Sequence, residues 1–81
     1  MLLSFSDRFA KSYAAAPPGI QKAFDKQSGF LLGNLRHPSL HAKKYDENGN
    51  LWQARVTLDW RFYFTIEGDE YRLHDIKRHP K

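Results

Sequence analysis

The apolar residues of this 81-residue chain change their period once, near Leu40, and that change alone points to an α+β fold. Before it, apolar positions recur at helical spacing: Phe9 with Tyr13, then a face formed by Ile20, Ala23, Phe24, Gln27, Phe30 and Leu31. After it, they recur every second residue, as in a strand with one buried side. The short apolar start, Leu2 to Phe5, reads as a strand. Ser4 or Ser6 caps a first helix that runs through Ala16 and stops at Pro17-Pro18-Gly19. A second helix begins near Pro18 and runs to about Leu35, with Gly29 and Gly33 weakening its last turns. The expected architecture is an N-terminal strand, a helical hairpin and a four-stranded antiparallel meander, with the helices packed on one face of the sheet. A chain this short supports one core, so residues 1–81 are read as a single domain.

The strands are read in more detail. Asn48-Gly49 signals a two-residue hairpin. From Leu51 to Thr57, alternation places Trp52, Ala54 and Val56 on one face and Gln53, Arg55 and Thr57 on the other; from Trp60 to Glu67 it sets Phe62, Phe64 and Ile66 against Arg61, Tyr63 and Thr65. The apolar faces coincide only across an odd-numbered loop, so Thr57 is paired with Arg61, Leu58 to Trp60 form the turn, and Arg55 lies opposite Tyr63. A two-residue turn at Gly68-Asp69 pairs Ile66 with Tyr71, Phe64 with Leu73 and Tyr63 with His74. Continued alternation would bury Asp75 and expose Ile76. A bulge is therefore expected near Asp75, returning Ile76 to the core and turning Lys77 and His79 to the polar face.

With 13 Lys and Arg against 9 Asp and Glu, the formal charge is +4, a bias toward anionic partners. The absence of cysteine excludes disulfides, a thiol nucleophile and thiolate zinc sites, and fits a reducing cytoplasm. No apolar run approaches the roughly 20 residues that span a bilayer, and Met1 to Phe5 is too short for a signal peptide, so a soluble, unexported protein without membrane contact is expected.

The polar sheet face is expected to gather Lys44, Gln53, Arg55, Arg61, Tyr63 and His74, with Lys77 and His79 beyond the bulge. Cations converging there repel one another, and a single-stranded RNA backbone would relieve the repulsion while Tyr63 stacks on an unpaired base. An ordinary solvated sheet face explains the same pattern equally well. A nuclease without metal, thiol or cofactor needs a proton acceptor, a proton donor and cations to carry the charge built on phosphorus, and His, Arg, Lys and Tyr supply all three. His79 is the first candidate for proton transfer, weighed against a mobile histidine near the end of the chain. His37 reads as a C-terminal cap or loop residue. His41 reads as facing the core side of an edge strand. No metal site is expected from the histidines.

Four segments carry a family resemblance: His37-Pro38-Ser39-Leu40, Leu51-Trp52-Gln53-Ala54-Arg55-Val56, Trp60-Arg61 and Ile76-Lys77-Arg78-His79. Residues 36–79 resemble the RelE/ParE superfamily of bacterial toxins from type II toxin–antitoxin pairs, and Asp59-Trp60 looks like its YafQ-type branch of ribosome-dependent messenger RNA endonucleases. The resemblance implies a RelE-like toxin that cuts mRNA in the ribosomal A site and is held inactive by a cognate antitoxin. It implies that Arg55 and Arg61 hold the scissile phosphate, that His79 transfers a proton, and that Asp59 is a loop carboxylate of the catalytic set. Lys44, Tyr63, His74 and Lys77 would contact RNA. Many relatives carry an aromatic residue shortly after the closing His, whereas Pro80-Lys81 follows it here. Either Tyr63 substitutes or the activity is weakened. Two alternatives accompany this reading: a non-enzymatic gyrase inhibitor, as in the ParE branch, or a member that binds its antitoxin without activity.

Overall fold

Ser6 decides where the first strand ends and the first helix begins. Its hydroxyl accepts the Phe9 N–H at 3.0 Å and donates to the His74 carbonyl at 3.2 Å, so one residue caps a helix and ties it to the last strand. In the computed structural model, which describes residues 1–46 and 48–79, the elements are β1 (Leu2–Phe5), α1 (Asp7–Ala15), α2 (Pro18–Gly33), a 3₁₀ turn (Pro38–Leu40), β2 (Lys43–Lys44), β3 (Leu51–Arg55), β4 (Trp60–Glu67) and β5 (Glu70–Arg78). The sheet order is β1-β5-β4-β3-β2, antiparallel except for β1, which runs parallel to β5. The α+β class is as expected, and the meander gains a fifth strand at its edge. None of the described helices is long and apolar enough to cross a membrane.

α2 ends two residues before Leu35. Asn34 caps it, donating its N–H to the Phe30 carbonyl at 2.8 Å, while its side-chain oxygen accepts the Arg36 N–H at 2.9 Å. That local bond competes with the continuing helix. His37 starts the next turn rather than closing this helix: its Nδ1 accepts the Ser39 N–H at 3.2 Å and its ring stacks on Phe30 at 3.9 Å.

The core lies between the helices and one sheet face. Phe24 of α2 meets Phe62 of β4 edge-on at 5.2 Å, and Phe62, Phe64, Leu73, Ile76, Leu31 and Leu40 are fully buried. Burying each such side chain stabilises the fold by roughly 1.5–3 kcal/mol.

Two turns differ from expectation, while the Gly68-Asp69 turn pairs Ile66 with Tyr71 and Phe64 with Leu73 as expected. The Asn48-Gly49 pair does not form a two-residue turn. Tyr45 N–H bonds to the Leu51 carbonyl at 2.8 Å, and the Asp46 carboxylate and carbonyl accept the N–H groups of Asn48 (3.0 Å) and Gly49 (3.2 Å), making a longer, Asp-nucleated loop. The β3–β4 register is displaced by two residues, so Arg55 pairs with Arg61 and Gln53 with Tyr63. Trp60 belongs to the strand, its carbonyl accepting the Val56 N–H at 2.9 Å. Arg61 supplies the reason: its Nη1 donates to the carbonyls of Thr57 (2.9 Å), Leu58 (2.9 Å) and Trp60 (3.1 Å) and holds together a turn longer than expected. A shift of two leaves every side chain on its expected face. The bulge is present one residue earlier than expected. Phe64 pairs with Leu73 but Tyr63 with Asp75, leaving His74 as the extra residue, and Ile76 returns to the core opposite Phe62.

Candidate nucleic-acid interface

The register turns the polar sheet face into two parallel rows. Arg55, Arg61 and Lys77 stand side by side across β3, β4 and β5; two residues further along these strands, Lys43, Gln53, Tyr63 and Asp75 form the second row. Rows two residues apart are separated by about 6.6 Å. Directly opposed like charges destabilise a sheet, and the first row contains three in succession. Arg8 forms an ion pair with Asp75 of the second row at 3.5 Å.

A cavity of about 400 Å³ at the β2 side of these rows is lined by His41, Lys43, Gln53, Arg55, Arg61 and His79, together with Ala42. Three of the residues singled out from sequence, Arg55, Arg61 and His79, therefore share one hollow. His79 is positioned by its backbone N–H, which donates to the Asp59 carbonyl at 2.6 Å. Arg61 uses Nη1 on the turn carbonyls and keeps its remaining N–H donors. Arg55 is anchored from behind. Gln27, buried in α2, donates through Nε2 to the carbonyls of Arg55 (2.9 Å) and Ser39 (3.1 Å), while Ser39 Oγ donates to its Oε1 at 2.8 Å. Gln53 is only 9% exposed, and its Oε1 is buried without a hydrogen-bond partner among the described residues.

Other expected site residues fall elsewhere. Lys44 pairs with Trp52, and its Nζ sits 5.9 Å from the indole, on the opposite face; Lys43 occupies the position expected of it. Asp59 contributes its backbone carbonyl from the β3–β4 turn and does not line the cavity. Tyr63, His74 and Lys77 line a separate hollow of about 340 Å³ on the same sheet face, with Lys77 Nζ 5.2 Å from the Tyr63 ring. Burial, and then the neighbouring Tyr45, push the Tyr63 phenol above its ordinary range against the pull of Arg61. Tyr63 thus does not enter the cavity of His79. The Pro80-Lys81 terminus weighed above lies outside the described residues.

His41 is the residue that sequence reasoning misplaced. It does not face the core: it has a left-handed backbone (φ 46°), rare for a residue with a side chain, and lines the Arg55 cavity. Strain of this kind collects at functional positions. The His-Pro-Ser-Leu segment just before it was the signal available, because the 3₁₀ turn it forms sets where the chain re-enters the sheet.

These features define an α+β domain of the RelE-like fold, with a cationic cavity on the sheet face away from the helices. No protein-family model and no curated protein matches the sequence. Solved structures match the fold. YafQ from E. coli strain BL21(DE3) superposes with a TM-score of 0.78 at 14% identity, covering 94% of this chain and 90% of that one. The toxin chain of a RelB-RelE antitoxin-toxin complex from Methanococcus jannaschii gives 0.77 at 18% identity, covering 93% and 88%. A YoeB/ParE toxin from Agrobacterium tumefaciens gives 0.74 at 13% identity, covering 99% and 100%.

Proposed function

We propose that this chain is the toxin of a type II toxin–antitoxin pair and acts as a ribosome-dependent endoribonuclease on messenger RNA. The observation that carries the reading is the convergence of Arg55, Arg61 and His79 in one cavity. Cleavage would proceed by removal of the ribose 2′-OH proton, attack of that oxygen on the adjacent phosphorus, and departure of the 5′ oxygen with a proton, leaving a 2′,3′-cyclic phosphate. His79 and His41 are the two imidazoles at the cavity, one to take a proton and one to give it. Arg55 and Arg61 carry the charge that builds on the phosphate oxygens.

An antitoxin partner is supported by the neighbours, which include RelB-RelE and DinJ-YafQ complexes. Arrest of growth on induction, with codon-phased new 5′ ends in translated messages, is the expected phenotype. His79→Ala and Arg55→Ala each abolish both effects while the purified proteins remain folded. Full toxicity in both variants overturns the assignment. Intact messages with damaged DNA topology would instead favour gyrase inhibition, the reading that the YoeB/ParE neighbour keeps in view.

A further inference from the structure

The second hollow on the polar sheet face differs in chemistry from the first. Its walls include Tyr45, Tyr63, His74, Asp75 and Lys77. His74 and Asp75 are consecutive, and two consecutive strand residues can line the same hollow only because the bulge falls between them and β4. Asp75 is a carboxylate beside a row of cations, and it is only partly occupied. Its Oδ1 accepts the Ser12 hydroxyl at 2.7 Å and the Ile76 N–H at 2.9 Å, whereas Oδ2 faces only the Arg8 Nε at 3.5 Å, from a side chain that is 80% exposed.

His74 presents a second acceptor. Thr65 donates its single hydroxyl proton to Glu67 Oε2 at 2.6 Å, so the 2.9 Å contact between Thr65 Oγ1 and His74 Nε2 is made by the imidazole N–H. The neutral ring then carries its lone pair on Nδ1. Arg8 and Lys77 also line this hollow, so it does not exclude an anion; what sets it apart from the first is the Asp75 carboxylate, an acceptor for a base donor. Its Tyr63 and Asp75 lie one row, about 6.6 Å, from Arg55 and Arg61, close to the one-nucleotide step of an unstacked strand.

We propose that this hollow holds the base next to the phosphate gripped by Arg55 and Arg61, and that Asp75 makes it select bases bearing an exocyclic amino group over uracil. The inference rests on the RNA reading of the neighbouring cavity. Adenine, cytosine and guanine each bring an amino donor to Asp75 Oδ2. Uracil has one N–H, flanked by two carbonyls that the acceptors repel. Tyr63 and Tyr45, in edge-on contact at 5.4 Å, supply aromatic surface for the base.

The test is a titration of the ¹⁵N-labelled full chain with 2′-O-methyl tetranucleotides of adenine, cytosine or uracil, which cannot be cut. The adenine and cytosine oligomers are expected to shift the amides of Tyr63, His74 and Asp75 and to bind about tenfold more tightly than the uracil oligomer. Asp75→Asn, which places a donor where Oδ2 stood, should erase that preference while the shifts at Arg55 and Arg61 persist. Should this variant fail to fold, the preference of the unmodified chain decides alone. Equal affinity for all three oligomers, with shifts at Arg55 and Arg61, would overturn base selection and leave the RNA reading standing. No shift at Arg55, Arg61 or His79 with any oligomer would overturn the base site, and the RNA reading would then stand or fall on the codon-phased 5′ ends in translated messages.

Discussion

Phe62 and Arg61 are neighbours in β4 and live in opposite environments. The phenyl ring has no exposed surface and packs between Phe24 and Phe64, whereas the guanidinium stands on the polar face between Arg55 and Lys77. The apolar face is optimised for cohesion. The polar face assembles like charges that gain nothing from one another, an arrangement that costs the fold stability until an anion arrives. The difference teaches that cohesion and charge are assigned to alternate residues of the same strands.

Substitutions on the two faces should therefore have different signatures. Phe62→Ala should have the largest effect, a loss of about 3–5 kcal/mol in urea denaturation, because the cavity left behind is enclosed on all sides. Arg55→Ala should lower RNA cleavage by about 10²–10³-fold, the scale of losing one charge-stabilising group, while leaving the denaturation midpoint unchanged or slightly raised. A large drop in stability for Arg55→Ala would break the comparison. Gln27→Ala sharpens it, since Gln27 lies on the helix side yet holds the Arg55 carbonyl and the turn before His41. It should cost about 1–3 kcal/mol and reduce cleavage as well, measured as a fall in both thermal midpoint and turnover.

The smallest effect concerns Tyr63. Burial raises its phenol, so the folded state holds that proton more tightly than the unfolded chain does. Its contribution is fully present below the ordinary value of about 10 and is lost as pH rises through the higher folded value. Tyr63→Phe should therefore flatten the decline in stability at alkaline pH, followed by chemical denaturation across that window.

How much was legible in the sequence follows the same two-face logic. The faces of β3 and β4 could be read because alternation depends only on parity, and the displaced register moved by two. The bulge could be read because Asp75-Ile76 breaks the alternation. The Gly68-Asp69 turn could be read too, whereas the other two turn lengths could not, because they are set by particular side chains: Arg61 reaching three carbonyls, Asp46 accepting two N–H groups. β2 was misassigned for the same reason. With two lysines and no apolar alternation, Lys43-Lys44 carries no face signal, and a one-residue difference exchanges which of them joins the cavity. Nor does any sequence rule announce that His41 adopts a left-handed backbone.

The parallel pairing of β1 with β5 orders events in time. The strand that leaves the ribosome first finds its partner only after the last strand has emerged, so Leu2–Phe5 must wait unpaired through most of synthesis. β5 also carries Lys77 and leads into His79. A half-made chain therefore has neither a closed sheet nor a complete row of charges, so the cationic cavity is among the last features of the fold to be assembled.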